Sequence, residues 1–342
     1  MITSLPKRGR WLALSIGLSL LLTACGSTAS NTASTGSAGA SSSGTVTVAV
    51  EYGGLKFPYH SALKAGLAAK AAALGGVKLI EGDSNGDTGT ELTNVQNLLQ
   101  RTPSCILLIP VSNSSSAPAE AAAAAKVPVV SFDQEAAGTT AAFVGYDQLQ
   151  SGTLLGQFVI DEYKAIGKPK IQVIYLRGLI GQAADTARNA GLKKALADAG
   201  LDNSKVQIIE QAADYDRAKA RSITNSLLTQ NPNADVIVAN NDDMMLGAYS
   251  AAEALNKNTG PQGTLHLAGI DGVPESLQLI SEGKVDATMF QNPVIEANTA
   301  LPVCVAAAKG EPVKDNILKF EKVTKANAAA TLASIKSVYK SN

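Results

Sequence analysis

The sequence predicts an α/β protein made of two doubly wound domains, each with a parallel β-sheet. Short apolar runs rich in β-branched residues alternate with longer segments of helical periodicity, which is the pattern of βαβ units. This series ends near residue 145, and a second, similar series begins near residue 152. The chain of 342 residues is long enough for two domains, each with its own core.

The first series starts with the run TVTVAV at 45–50, which has the composition of a buried parallel strand. The segment 61–74 carries leucine and alanine at helical spacing, and Gly75 and Gly76 end it. The same criteria predict further strands at 77–81, 105–110, 127–132 and 143–145, and helices at 91–100 and 117–125.

The second series repeats this alternation. Its predicted strands lie at 171–176, 206–210, 236–239, 265–270 and 287–291, and its predicted helices at 152–165, 186–199, 218–230, 244–255 and 274–282. One more helix, at 293–308, is left over after the last strand. Open α/β sheets bind ligands at the carboxyl ends of their strands, so the residues that follow the strands form the candidate site.

The composition argues against several classes of function. Lys+Arg and Asp+Glu both number 29, so the chain lacks the excess of positive charge that nucleic-acid binders use. Two histidines leave little room for imidazole-based metal or acid–base chemistry, and three cysteines cannot build a disulfide framework. We predict no cofactor, no metal site and no nucleic-acid partner.

Residues 1–24 have the organisation of a signal peptide, with a basic start, an apolar run and small residues before a cysteine. The run LTAC at 22–25 resembles the bacterial lipobox, which implies that Cys25 is lipidated and becomes the new N-terminus. The alternative is an ordinary secretory signal with an incidental cysteine.

Residues 25–44 are predicted to be this cysteine followed by a flexible linker, because residues 26–44 contain only Gly, Ser, Thr, Ala and Asn. The protein is therefore expected to be exported and anchored to the extracytoplasmic face of the cell membrane.

Polar and aromatic side chains stand at or near the ends of several predicted strands. The set comprises Asp133, Gln134, Arg188, Tyr215, Asn240, Asn241, Asp242, Asp243, Asp271 and Gln291. Carboxylates, amides and a guanidinium accept from and donate to hydroxyl groups, and an aromatic face covers the C–H surface of a sugar. The set favours a neutral polyol as the ligand. The alternative for each single residue is that it caps the next helix or makes a turn.

Over residues 45–325 the chain resembles the ribose-type periplasmic sugar-binding proteins, which share their fold with the effector domains of LacI-type repressors. The resemblance is carried by the segments ALKAGLAAKAAALG, ELTNVQNLL, ILLIP, VPVVSFD, ANNDDMMLGA, AGIDGVPE and ATMFQNP. It implies a type I periplasmic binding protein with a three-crossing hinge, crossed near 145–147, 291–292 and 319–321. The implied lobes are 45–145 plus 292–320, and 146–291 plus 321–342.

The resemblance also implies a ligand-binding role for particular residues. Tyr59 and His60 stand where the family has two stacking rings, and the full implied set is Tyr59, His60, Asp133, Gln134, Arg188, Tyr215, Asn241, Asp271 and Gln291. Four positions depart from the family pattern: Phe57 and Pro110 replace asparagines, His60 replaces an aromatic ring, and Gln134 replaces an arginine. These departures put ribose in doubt and leave a polyhydroxylated ligand.

The function implied is that of a monomeric, lipid-anchored solute-binding protein that delivers a sugar or polyol to an ABC import permease, without enzymatic activity. One alternative is a sensor that presents a sugar or furanose-like signal to a membrane receptor. Another is an exported hydrolase that uses Asp133 and Asp271 as an acid–base pair. A LacI-type repressor is disfavoured, because a signal peptide occupies the place of the DNA-binding helices.

Three further patterns have a structural interpretation. The run DSNGD at 83–87 resembles the start of a calcium loop but lacks its glycine and glutamate, so we predict a turn that caps the next helix. Asp242 and Asp243 are interpreted as the capped start of a helix rather than a metal pair. Cys105 and Cys304 are predicted to be buried thiols, with oxidation of a close pair left open for an exported chain.

Overall fold

The structure is a computed structural model that describes residues 44–339. The predicted signal peptide (1–24), the lipidated Cys25 and the linker as far as residue 43 lie outside the described residues.

The first half of the chain forms alternating strands and helices, as predicted. These elements are β1 (Val46–Tyr52), α1 (Pro58–Leu74), β2 (Val77–Asp83), α2 (Thr88–Leu99), β3 (Cys105–Leu108), α3 (Ala117–Ala124), β4 (Val129–Asp133) and β5 (Ala142–Tyr146).

The second half repeats the alternation and then adds four elements. It comprises α4 (Gln148–Ile166), β6 (Ile171–Arg177), α5 (Ala183–Asp198), β7 (Val206–Ala212), α6 (Arg217–Gln230), β8 (Val236–Ala239), α7 (Asp242–Ala254), β9 (His266–Asp271), α8 (Pro274–Glu282), β10 (Ala287–Phe290), α9 (Pro293–Ala308), β11 (Asn316–Leu318), β12 (Glu321–Thr324) and α10 (Ala328–Ile335).

Four helices begin three or four residues earlier than predicted. Helix α2 starts at Thr88 because Asp87 accepts a hydrogen bond from the backbone of Thr90, and α4 starts at Gln148 because Asp147 caps it in the same way. The prediction began α2 at residue 91 and α4 at residue 152, close to the apolar residues at helical spacing, whereas the first turns of these helices are mostly polar. Asp87 closes the DSNGD run, so its interpretation as a helix cap is confirmed.

The strands form two six-stranded sheets, in the orders β11-β5-β4-β3-β1-β2 and β12-β10-β9-β8-β6-β7. All neighbours are parallel except β10 and β12, which are antiparallel. The exception follows from the path of the chain. Strand β11 runs toward the space between the sheets, and the chain continues through Lys319 and Phe320 into the second sheet from its carboxyl edge.

Apolar residues cover both faces of each sheet. In the second sheet, one face carries Ile174, Ile237 and Leu267, and the other carries Val173 and Val238. Strands β3, β8 and β10 are buried along their whole length, as expected for parallel strands with helices on both sides. Each fully buried aliphatic side chain contributes about 1.5–3 kcal/mol.

The chain crosses between the sheets three times. Tyr146, from the first crossing, contacts Asn292 from the second and Phe320 from the third. The hydroxyl of Tyr146 accepts a hydrogen bond from the backbone N–H of Asn292 at 2.8 Å and donates to its carbonyl at 3.3 Å. The Tyr146 ring lies 5.0 Å from the ring of Phe320. The predicted fold, two doubly wound domains with a three-crossing hinge, is confirmed.

Cys105 and Cys304 form a disulfide, which corrects the prediction of two buried thiols. Both cysteines are fully buried, and the bond joins β3 to α9. The two residues are 199 positions apart, so only the return of α9 to the first sheet brings them together. A disulfide of this kind is typical of proteins from oxidising compartments.

Within residues 44–339, no helix has both the length and the apolar character needed to cross a bilayer.

Candidate ligand-binding site

The carboxyl ends of strands from both sheets face one cavity between the lobes. All nine residues of the predicted set line it: Tyr59, His60, Asp133, Gln134, Arg188, Tyr215, Asn241, Asp271 and Gln291. The cavity contains about 490 Å³ of empty space, including space open to solvent. We call it the inner cavity. The expectation that ligands bind at the carboxyl ends of the strands thus located the cavity. Ligand binding by each of these residues stays a prediction.

The prediction of the site omitted five residues that also line the inner cavity, and three of them are Gln148, Gln182 and Ala184. They lie at the starts of α4 and α5. For Gln148 the signal was available, since a polar residue that begins a helix beside a crossing faces the same space as the strand ends. Gln182 and Ala184 lie at the start of α5, away from the crossings, and had no such signal. Phe57 and Pro58, just before Tyr59, complete the lining.

On the side of the first sheet, His60 and Asp133 are hydrogen-bonded. Nε2 of His60 lies 3.1 Å from Oδ2 of Asp133, and Nδ1 lies 3.0 Å from the carbonyl oxygen of Gly54. Both ring nitrogens therefore have an oxygen atom within hydrogen-bond distance. The imidazole ring of His60, which stands where the family has an aromatic ring, therefore orients the carboxylate of Asp133 at the wall of the inner cavity.

Beneath this pair lies a carboxyl group that the sequence did not reveal. Glu296, at the start of α9, is fully buried and accepts a hydrogen bond from the hydroxyl of Tyr59. Burial and the nearby charge of Asp133 raise the pKa of Glu296 well above its usual range. Glu296 follows the crossing at residue 292, so only the three-dimensional path of the chain places it beneath Asp133.

On the side of the second sheet, Arg188 joins several polar groups. Its Nε donates to Oε1 of Gln148 at 2.9 Å, its Nη1 donates to the carbonyl of Asn240, and its Nη2 lies 3.9 Å from Oδ1 of Asp271. Burial raises the pKa of Asp271, while the charge of Arg188 opposes this effect.

Glycine at position 152 allows α4 to approach α5 here, because a Cβ atom would overlap the backbone of Arg188.

Asp242 fixes the loop that directly follows Asp271. It is fully buried and accepts hydrogen bonds from the backbone N–H groups of Gly272 and Val273 at 2.8 and 3.0 Å, and from the Thr288 hydroxyl at 2.8 Å. Burial raises its pKa to about 7. The predicted helix start is confirmed, since α7 begins at Asp242 and Asn241 caps it through the N–H of Met244.

Three buried polar atoms of the inner cavity have no hydrogen-bond partner within residues 44–339. They are the Tyr215 hydroxyl, Oε1 of Gln182 and Oε1 of Gln291. A buried polar atom without a partner is unfavourable, so these atoms are available to a bound molecule. The ring of Tyr215 lies 6.2 Å from that of Phe57 in an edge-to-face arrangement across the cavity. Together they supply aromatic surface beside the polar groups.

One cluster in the described part of the chain has the composition of a cation site, and it lies outside the inner cavity. Nδ1 of His266 is 3.0 Å from Oδ1 of Asp286 and 3.4 Å from Oε2 of Glu162. Asp286 raises the pKa of His266 by hydrogen bonding, which favours an ion pair. We interpret this cluster as a structural ion pair at the amino edge of the second sheet.

Comparisons with known proteins agree with this geometry. A family model described as a periplasmic binding protein domain matches residues 48–312. The ribose import binding protein RbsB of Haemophilus influenzae is 31% identical over 274 residues, which are 79% of this chain and 88% of that protein. The D-allose-binding periplasmic protein of Escherichia coli is 30% identical over 270 residues, 76% of this chain and 83% of that protein.

A solved structure has the same architecture. An ABC transporter solute binding protein from Bacillus halodurans C-125, with bound myo-inositol, aligns with a TM-score of 0.76 and 27% identity. The alignment covers 86% of this chain and 99% of that one. The fold, the cavity between the sheets and these similarities together show that the chain belongs to the ribose-type periplasmic binding protein family.

Proposed function

We propose that this protein captures a sugar or polyol in the inner cavity, between its two lobes, and delivers it to an ABC import permease. The observation that carries the proposal is the inner cavity itself, where hydrogen-bonding atoms that have no partner among residues 44–339 lie beside aromatic rings. The similar proteins are named for ribose and D-allose or hold myo-inositol, all of which are polyhydroxylated. The sensor alternative is not favoured, since the relatives are import proteins.

Each part of the inner cavity suits one part of such a ligand. In the proposal, Asp133 and Asp271 accept hydrogen bonds from hydroxyl groups, and Arg188 donates to ligand oxygens. Tyr215 and Phe57 cover the C–H surface of the ring. We propose the lobes to be 45–145 plus 292–320, and 146–291 plus 321–342, so that the ligand lies where they close by a hinge.

The family consists of solute-binding proteins and not of enzymes. Asp133 and Asp271 are therefore interpreted as ligand-binding groups rather than as the acid and base of a hydrolase. Proteins of this family are extracytoplasmic.

We propose that the protein is a monomer anchored by a lipid on Cys25, after removal of residues 1–24. Sequence supports the anchor: the LTAC run ends the apolar segment, and a linker without apolar residues larger than alanine follows. Cys25→Ser is expected to move the protein out of the membrane fraction or to leave it unprocessed. A variant that remains membrane-bound and normally processed would contradict the anchor.

The experiment that tests the ligand class is a thermal-shift screen of pentoses, hexoses and polyols. A ligand that binds only the folded protein stabilises it by RT ln(1+[L]/Kd), which is about 2.7 kcal/mol when the ligand is at 100 times Kd. At least one member of the panel is expected to raise the Tm. Absence of any shift across the panel would contradict the proposed ligand class.

A further inference from the structure

Glu296 is a carboxyl group that lies behind the wall of the inner cavity. It is fully buried and does not line the cavity itself. Its Oε2 accepts a hydrogen bond from the Tyr59 hydroxyl, and its Oε1 has no partner within residues 44–339. In the same range no lysine, arginine or histidine forms an ion pair with it. A buried carboxylate without a cation is strongly unfavourable, so these surroundings favour the neutral carboxylic acid.

The groups around Glu296 agree with a neutral acid. Helix α9 packs against α1 and against strands β1, β3, β4 and β5, and β1 and β3 face it with side chains of one hydrophobic core. The polar neighbours are the hydroxyls of Tyr59 and Tyr146 and the carboxylate of Asp133. Burial and then the charge of Asp133 raise the pKa of Glu296, against the opposing effect of the hydrogen bond from Tyr59. Burial also raises the pKa of both tyrosines, so neither hydroxyl adds a negative charge near neutral pH.

Asp133 is held in place by contacts of its backbone and of its side chain. Its φ of 61° lies in the left-handed region, which is unfavourable for a residue other than glycine. The turn that follows is fixed by Ser131, whose hydroxyl donates to the carbonyl of Gln134 at 2.8 Å. Oδ2 of Asp133 lies 3.1 Å from Nε2 of His60. A negative charge on Glu296 would therefore repel a carboxylate that is fixed in position.

We propose that Glu296 is a positioning residue of the ligand-binding site: as a neutral acid it holds Tyr59 and leaves Asp133 as the single negative charge on the first-sheet side of the inner cavity. Ionisation of Glu296 places a second negative charge behind Asp133 and weakens ligand binding. This inference rests on the proposed function, because Asp133 is the group through which Glu296 affects the ligand.

The sign of the pH dependence follows from the position of the ligand. A bound ligand replaces water in the inner cavity, so it reduces the screening between Asp133 and Glu296. The complex therefore holds the proton on Glu296 more tightly than the free protein does. As the pH rises and this proton is lost, the affinity for the ligand falls.

The test uses the sugar or polyol that the thermal-shift screen identifies. Titration calorimetry from about pH 6 to about pH 10 compares its affinity for the native protein and for Glu296→Gln, which keeps an acceptor for Tyr59 and does not titrate. The two affinities are expected to agree within about threefold at the acidic end. At the alkaline end the native protein is expected to bind about tenfold more weakly than the variant. Both proteins contain His60, so the difference between their profiles reports on Glu296.

A control variant and a second measurement assign the effect to Glu296. Glu253→Gln changes a carboxyl group that is also bonded to a tyrosine hydroxyl, that of Tyr249, but is exposed and outside the inner cavity. It is expected to leave the affinity and its pH profile unchanged. Titrations in buffers of different ionisation enthalpy count the protons bound together with the ligand. The native protein is expected to take up a fraction of one proton at alkaline pH, a result that does not depend on the folding of any variant.

Three results would overturn the inference while leaving the proposed function intact. In the first, the native protein and Glu296→Gln bind the ligand with the same pH profile. In the second, a folded Glu296→Gln binds more than about tenfold more weakly than the native protein at about pH 6, which would show that the site needs the charge. In the third, the native protein takes up no proton at any pH tested. If no sugar or polyol binds the native protein at any pH, the proposed function fails, and this inference fails with it.

Discussion

Nη2 of Arg188 lies 3.9 Å from Oδ1 of Asp271, and both residues are buried. Arg188 lies on α5 and Asp271 at the end of β9, so a helix and a strand of the second domain bring the two side chains together. Removing one partner of a buried ion pair leaves the other charge without compensation. The pair thus presents a donor and an acceptor side by side at the wall of the inner cavity.

The first prediction concerns this pair. Asp271→Asn removes the charge, and loss of a charge-assisted hydrogen bond costs about 1.5–3 kcal/mol, so every ligand is expected to bind at least about tenfold more weakly. Titration calorimetry measures the affinity, and thermal unfolding checks that the variant is folded. Glu275→Gln, which changes an exposed carboxylate in the first turn of α8, is the control. Unchanged affinity in Asp271→Asn would remove Asp271 from the site.

The second prediction concerns ligand preference. Gln134 lies next to Asp133 in the lining of the inner cavity. Gln134→Arg adds a cation and several donors at the first-sheet side, so it is expected to change the ranking among sugars more than the overall affinity. The thermal-shift panel, repeated with the variant, measures the ranking. Equal weakening of every ligand would contradict a role of this position in specificity.

The third prediction concerns the buried carboxyl group beneath the site. Tyr59→Phe removes the hydroxyl that bonds Glu296, whose other oxygen already lacks a partner within residues 44–339. The free energy of unfolding is expected to fall by about 1–3 kcal/mol. Tyr249→Phe is the matched control, because its partner Glu253 is exposed and water replaces the lost bond. Equal losses in both variants, measured by denaturant unfolding, would show that burial of Glu296 has no special effect.

The fourth prediction concerns the disulfide. Replacing Cys105 and Cys304 by alanine is expected to lower the free energy of unfolding by about 2–5 kcal/mol. The affinity for ligand should stay the same, because neither cysteine lines the inner cavity. A reducing agent should destabilise the native protein and leave the double variant unaffected. If reductant has no effect on the native protein, the two thiols are not bonded in solution.

The fifth prediction concerns pH. Burial raises the pKa of Glu91 from 4.5 to about 7, and its Oε1 accepts from the N–H of Val111. Between these two values the folded protein holds more protons than the unfolded chain, so this group's contribution to stability falls as pH rises and becomes constant above about pH 7. Glu91→Gln keeps the acceptor and does not titrate.

The native protein is therefore expected to lose about 1–3 kcal/mol of stability relative to Glu91→Gln between about pH 5 and about pH 8. Denaturant unfolding of both proteins at the two pH values measures this difference. A constant difference between them would show that Glu91 titrates normally.

Local properties of the chain were sufficient to predict the alternating elements and the polar residues at the strand ends that line part of the inner cavity. Strand and helix periodicity depends on residues within one or two turns of each other. Asp133 and Asp271 are the last residues of β4 and β9, and Asn241 lies two residues after the end of β8. Helix starts were the weakest local prediction. The polar first turns of α2 and α4 have no apolar periodicity, and their caps Asp87 and Asp147 precede them.

The sequence by itself determined that two βαβ series form two sheets and that polar residues collect at their carboxyl ends. Only the tertiary structure decided which distant residues meet there. The Cys105–Cys304 bond and the contact of Tyr59 with Glu296 both depend on the return of α9 to the first sheet. The physical reason is that periodicity is encoded between near neighbours, whereas packing joins residues that are hundreds of positions apart.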